Sequence, residues 1–401
     1  MTSEWNHSTI NDVCVLVTDG SHSSPKSVND GKYMVSVKDF TDYGFDFASC
    51  RMISNDDYET LKRNGCVPQI DDILIGKDGA RFFEDIIIYR QREKPALLSS
   101  IAILRCDKSK ILPDFLYYVL RTPSFRQDVK DNYGSGSAIP RIILKDFKRM
   151  MVSYPSLEKQ QAIISVLTAI DSKIQANTEI NDNLDQQAQA FFQELFVDNA
   201  DPEWAIGTIS DLGAVVGGST PSKAKPEYYT ETGIAWITPK DLSVNKSKFI
   251  SHGENDITEL GLKNSSATIM PEGTVLFSSR APIGYIAVAA GEVTTNQGFK
   301  SIVPKPEIGT AFVYYFLKHN LPIIEGMASG STFKEVSGST MKGVPAVIPD
   351  TDTIARFNDL CFPIFAQQRI LEEQNQSLAA LRDNLLPKLM SGEIDVSDID
   401  L

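Results

Sequence analysis

One pattern is written twice along this chain. Similar segments recur with a period near 194–202 residues, and a duplication of that length requires two like domains. Each half opens on a short apolar run and a Gly-bearing polar turn, VLVTDGSHSSPK (15–26) and AVVGGSTPSK (214–223). YMVSVKDF (33–40) and IAWITPKDL (234–242) follow, both closing on Lys-Asp and an apolar residue. IDDILIGKDGAR (70–81) and PEGTVLFSSRAPIG (271–284) each give an acid-bearing turn, an apolar strand and a basic loop. Next come aromatic-rich helices, PDFLYYVLRT (113–122) and TAFVYYFLKH (310–319), then Gly/Ser loops, GSGSAIPRI (134–142) and ASGSTFKEV (328–336). MVSYPS (151–156) and AVIPD (346–350) are Pro-ended strands. Short β-branched runs between Gly/Asp/Ser turns predict mostly strand, with one or two helices per block.

Each half closes on a long helical pattern, from about Leu157 to Phe196 and from about Thr353 to Met390. Leu167, Ile170, Ile174, Asn177, Asn181, Leu184, Ala188, Phe191 and Leu195 follow alternate steps of three and four. Shifted by 194, the same frame gives Cys361, Ile364, Gln368, Leu371, Asn375, Leu378, Arg382, Leu385 and Leu389. That is a heptad seam in both copies, with Asn181 and Asn375 in register to set pairing. Helices of roughly 35–40 residues would run about 50–60 Å. With one linker returning the chain, antiparallel pairing is the simpler geometry. The expected fold class is α+β: two pseudo-repeated mixed α/β domains joined by two long helices that form an antiparallel coiled coil.

Charge narrows the function classes. A net charge of −13 opposes duplex DNA at first sight. Ten of those charges lie in 156–200 and 351–401, however, while 1–155 balances 21 basic against 21 acidic residues. Basic faces on the two blocks therefore remain open. The five cysteines are scattered without a CxxC pair, so neither a disulfide framework nor a zinc site is expected. No apolar run is long enough to span a bilayer and no signal peptide is evident, so a cytoplasmic protein with no membrane partner is expected.

Two unlike heads related by an approximate two-fold suit a bipartite duplex site whose halves need not be palindromic. Here the residues also resemble a known family. GGSTPSK (217–223), GIAWITPKDL (233–242), TTNQGFKSIVP (294–304) and LRDNLLPKLMSGEI (381–394) are similar to recurring segments of type I restriction–modification specificity subunits. The resemblance covers nearly the whole chain. The first half departs from it, with VTDGSHSSPKS in place of a Gly-Gly-Thr-Pro opening and LLSSIAIL (97–104) where NQGFKSIVP would stand.

The resemblance implies target-recognition domains at 1–155 and 201–350, a central helix at 156–200, and a C-terminal helix with an acidic tail at 351–401. It implies partners: double-stranded DNA, two modification subunits, and restriction subunits joined through them. S-adenosylmethionine, ATP and Mg are then expected in those partners, and no cofactor in this chain. The residues agree with a non-enzymatic chain. There is no Pro-Pro pair for an adenine methyltransferase motif, no GxxxxGK[ST] loop, and four histidines lie outside any HxH or HExxH pattern. A scaffold with duplicated binding domains, or a stand-alone methyltransferase or nuclease, are the alternatives.

Base edges are read by forked donors or amides, and phosphates are held by cations and small polar loops. In the first half these are Lys77 and Arg81 around GKDGAR, Lys38, and Ser135 and Ser137 with Arg141. In the second they are Ser278, Ser279 and Arg280, Thr238 and Lys240, and Ser331 with Lys334. Lys38 and Lys240 could touch phosphate or pair with Asp39 and Asp241. Asn296 and Gln297 could read adenine or form a structural turn. Tyr117, Tyr118, Tyr314 and Tyr315 sit at helical spacing and are expected in the core or against a partner.

Overall fold

The computed structural model describes residues 5–79, 81–134, 140–330 and 334–396. It forms two compact units, Met1–Ser172 with Leu378–Leu401, and Lys173–Ser377. The expected domain boundaries put the long helices apart from the heads, but each helix instead divides between the units. Residues to 172 of the first helix pack with the first head and those from 173 with the second. An amphipathic helix buries its apolar stripe on whatever core lies beside it, and the heads supply that core.

In the first unit, Thr9 starts the chain's first turn with a reciprocal cap. Its hydroxyl accepts from the Asp12 backbone N–H while Asp12 accepts from the Thr9 N–H at 3.1 Å. That cap turns strand Asn6–Thr9, paired antiparallel with Met151–Tyr154, into strand Cys14–Asp19. A four-stranded antiparallel sheet follows in the order Cys14–Asp19, Ile101–Cys106, Ile73–Gly76, Ile86–Ile88. Both faces of its central strands are covered, and successive side chains go to opposite cores. Ile73, Ile75, Ala102 and Leu104 pack with Phe115 and Leu116 of helix Pro113–Arg121. Leu74, Ile101 and Ile103 pack with Val35, Phe45 and Tyr89 on the other side.

The second unit repeats the plan. Thr208 and Asp211 form the same cap, strand Ala205–Thr208 pairs with Pro345–Ile348, and Gly213–Gly217 begins the main sheet. Its order is Gly213–Gly217, Lys300–Pro304, Val275–Ser279, Ile283–Ala289, with Phe249–Ile250 added in parallel at the edge. A short parallel pair also recurs, Lys32–Val35 with Ala96–Leu97 in one unit and Trp236–Ile237 with Thr294–Thr295 in the other. The duplication read from sequence is thus a duplication of topology.

The long helices run Leu157–Gln193 and Thr351–Ser391. Pro363 and Pro387 lie inside the second without ending it. Each removes a backbone donor and costs about 3 kcal/mol in an isolated helix, offset here by burial of neighbouring Ile364 and Leu386. Within the second unit the helices pair antiparallel: Asn177 Nδ2 donates to Asn375 Oδ1 at 2.9 Å, and Asn181 Nδ2 to Glu372 Oε1 at 3.2 Å. Within the first unit Arg382 meets Asp171 at 3.0 Å in the same sense. The expectation set Asn181 and Asn375 as matching positions, and antiparallel pairing gives each a different opposite residue. No helix among the described residues is long and apolar enough to cross a membrane.

Candidate nucleic-acid interface

The second unit carries an open cleft of about 710 Å3 whose lining includes Thr238, Lys240, Arg280, Asn296 and Gln297, five residues singled out from sequence. Thr238 caps the short helix Pro239–Val244. Its N–H and hydroxyl both donate to Asp241 Oδ2, at 2.7 and 2.6 Å. Asp241 is therefore occupied by the cap, and Lys240 pairs with Glu254 instead, at 2.6 Å. Both partners are well exposed, at 67% and 61%, so water screens the pair and Lys240 is readily exchanged onto another anion.

Across the cleft, Asn296 Oδ1 accepts the Gly298 N–H at 2.8 Å and forms the tight turn. Gly218 lets that turn approach, because a Cβ there would lie 2.0 Å from the Asn296 carbonyl oxygen. The amide nitrogen of Asn296 has no protein partner among the described residues. Gln297 is exposed and takes a hydrogen bond from the Thr220 hydroxyl. Arg280 and Lys300 both reach Glu335, each at 3.5 Å. Trp236 and Tyr229, edge to face at 5.7 Å, form an apolar wall with Lys223 at the rim. Guanidinium, ammonium, amide and hydroxyl donors thus surround one recess wide enough for base edges or backbone phosphate.

Ser278 and Ser279 are not part of that surface, and their expected contact role is corrected. Strand Val275–Ser279 is covered on both faces, so each hydroxyl is used on the fold's own backbone. Ser278 Oγ donates to the Pro282 carbonyl at 2.9 Å and accepts from the Tyr285 N–H, and Ser279 Oγ donates to the Gly298 carbonyl at 3.0 Å. Lys77 is corrected in the same way. It occupies the strand position of Ser279, its side chain is 8% exposed, and its ammonium faces Asp19 at 3.3 Å and Asp78 at 3.7 Å. A buried, paired cation is a structural element and is withheld from DNA.

Arg81 remains on the surface, 72% exposed and paired with Asp85 at 2.7 Å. Lys38, Arg141 and Lys334 are exposed. Asp39 is taken by the Ser36 cap, its Oδ2 accepting the Ser36 N–H at 2.7 Å, so it does not hold Lys38. Ser135, Ser137 and Ser331 lie outside the described residues. One further feature separates the heads. The same backbone bridge joins Asp78 to Arg141 in the first unit and Arg280 to Glu335 in the second. An acid stands in one copy where a base stands in the other.

Among the seam residues, Leu167, Ile170, Ile364, Leu371 and Leu389 are buried. Ile174, Asn181, Leu184, Phe191, Leu195, Asn375, Leu378 and Leu385 are half-buried. Phe192 and Leu386, one step beyond the expected frame, are more deeply buried than Phe191 and Leu385. Tyr118, Tyr314 and Tyr315 lie in the core and Tyr117 packs against it.

Sequence reasoning missed Lys248, which joins the second head to both helices. Its ammonium, 5% exposed, meets Asp185 and Gln368 at 2.7 Å and the Tyr315 hydroxyl at 3.1 Å. Glu372 accepts the backbone N–H groups of Lys248 and Phe249, at 2.8 and 2.9 Å. Burial pushes the Asp185 carboxyl up, but Lys248, Lys318 and Tyr315 together pull it down to about 2. Burial raises Glu372 and lowers Lys248. No local signal marks Lys248, because its partners lie 63 or more residues away. No group of His, Cys, Asp and Glu among the described residues could hold a metal ion.

A family model described as the type I restriction modification DNA specificity domain matches residues 2–186 and again 202–382. The specificity subunit of the type I restriction enzyme MjaIX, from Methanocaldococcus jannaschii, is 40% identical over 191 residues. That match spans 45% of this chain and 44% of the relative, so it covers under half of each. The HindI specificity subunit of Haemophilus influenzae is 24% identical over 371 residues, covering 73% of this chain and 80% of the relative. The crystal structure of a type I restriction–modification S subunit from M. genitalium aligns with a TM-score of 0.58 at 17% identity. It covers 97% of this chain and 96% of that one, a likeness of fold.

Proposed function

The chain belongs to the family of type I restriction modification DNA specificity domains, which it carries twice, and from that premise we propose that it chooses the DNA sequence on which a type I complex acts. Each unit reads one half of a bipartite, asymmetric site. The observation that carries this reading is the second unit's cleft, where five polar residues from three separate segments converge. The inverted charge at the matching bridge, Asp78 against Arg280, supports two different half-sites. The helices shared between the units set the unread spacing.

The chain itself performs no bond-making step. Two modification subunits bring S-adenosylmethionine and methylate adenine, and restriction subunits that join through them use ATP and Mg. The setting is cytoplasmic. Near-neutral heads bind DNA weakly alone, and the modification subunits supply much of the positive surface. Mapping methylated adenines in a host expressing this chain with its modification subunit tests the proposal. A split, asymmetric motif is expected, and a continuous or palindromic one overturns it.

A further inference from the structure

Away from the reading residues, the first unit has a recess of about 230 Å3 lined by Tyr118, Arg121, Arg126, Arg382, Asp383 and Leu386. Arg382 is already paired, with Asp171 at 3.0 Å and Asp383 at 2.9 Å. Among the described residues Arg121 reaches only the hydroxyl and ring face of Tyr117. Arg126 donates one Nη to the Glu84 carbonyl at 3.2 Å, and its Nε is buried without a partner. Among the described residues neither has a carboxylate within ion-pair reach. Burial, then the neighbouring Arg121 charge, lower the proton affinity of Arg126. Two like charges are held together in a partly dry recess with a buried donor unmet, which is costly unless an anion joins them.

The second copy shows what such a place contains when complete. There Tyr118 and Arg121 are replaced by Tyr315 and Lys318, and both are held by Asp185, at 2.8 and 2.7 Å. Shifted by 194 along the helical seam, Asp185 corresponds to Ala379. In the first copy a different acid holds the tyrosine, Tyr118 donating to Asp171 at 2.7 Å, and that acid pairs with Arg382 at 3.0 Å; among the described residues no carboxylate reaches Arg121, the counterpart of Lys318.

The geometry points to an oxyanion site of phosphate type in this recess, held by the guanidinium groups of Arg121 and Arg126. Planar, forked donors match a tetrahedral oxyanion's paired oxygens, and the recess is larger than one such group needs. A free phosphate and a backbone phosphate of nucleic acid present the same oxygens. The site does not depend on which bases the two units read.

The test titrates the full chain with inorganic phosphate at fixed ionic strength, using chloride as reference, by calorimetry and thermal melting. Saturable binding is expected, at least tenfold weaker in Arg126→Gln and in Arg121→Gln, and unchanged in Arg63→Gln, an exposed cation outside the recess and the reading loops. Ala379→Asp supplies the missing carboxylate, and should raise Tm without phosphate while abolishing the response to it. Absence of saturable binding, or an equal response in wild type, Arg126→Gln and Ala379→Asp, overturns the site. Displacement of bound phosphate by a short duplex assigns it to the nucleic-acid backbone, and failure to displace assigns it to a free phosphate.

Discussion

Asp185→Asn removes one carboxylate and keeps the side chain's shape. In the folded chain that carboxylate meets Lys248 and Lys318 at 2.7 Å and the Tyr315 hydroxyl at 2.8 Å. Breaking a buried pair by deleting one partner costs about 3–5 kcal/mol, because the other charge is left in a dry site. Gln368 still accepts from Lys248 at 2.7 Å, and a lysine whose pKa burial already lowers can shed its proton. Both routes reduce the loss to roughly 2–4 kcal/mol, or about 10 °C in the melting of a unit this size. Calorimetry reads that shift, and hydrogen exchange at residues 248–250 and 314–318 localises it. Asp185→Asn/Lys248→Met, which removes both charges, should recover most of the stability. A single variant melting within about 1 °C of wild type refutes the reasoning.

The same carboxylate makes a pH prediction. Its pKa is about 2 when folded and 3.8 when unperturbed. A depressed acid adds stability above its unfolded pKa and loses it as pH falls through the folded one. Roughly 2 kcal/mol should therefore disappear between about pH 5 and pH 2, and Asp185→Asn should lack that acid slope. Lys77→Ala should destabilise the first unit, by breaking its pairs with Asp19 and Asp78, while Arg81→Ala should leave melting unchanged. Arg280→Ala should weaken recognition of one half-site by about tenfold or more, from the roughly 1–3 kcal/mol of a forked base contact, with the other half unchanged in competition assays. Asn375→Leu removes the shorter bond made by the buried Asn177 amide, leaves it only the 3.3 Å bond to Gln374, and should lower Tm; a Tm equal to wild type would show that this polar pair does not set the helical register.

Periodicity made the architecture legible. The strand runs, the matching Lys-Asp closures and the 3.5-residue seam each depend on neighbours within a few positions, and the folded units repeat them in order. Sheet order was not legible, since the pairing of Cys14–Asp19 with Ile101–Cys106 joins segments some 90 residues apart. The site divides in the same way. Thr238, Lys240, Arg280, Asn296 and Gln297 come to line one cleft, as small polar loops stay at the surface. Lys77 and Arg81, four residues apart, look alike in sequence and differ in the fold because distant Asp19 meets only the first. Ser278 and Ser279 look like loop residues beside Arg280 but finish a buried strand. Lys248 carried no signal, because a buried cation is defined by partners that only folding assembles.

Exchange of residues 201–350 for the equivalent block of a relative with a different site tests the central claim most directly. Methylated motifs are mapped before and after the exchange. Two independent heads predict that one half-site changes to the relative's while the other half stays the same. A change in both halves together, or in neither, contradicts the account.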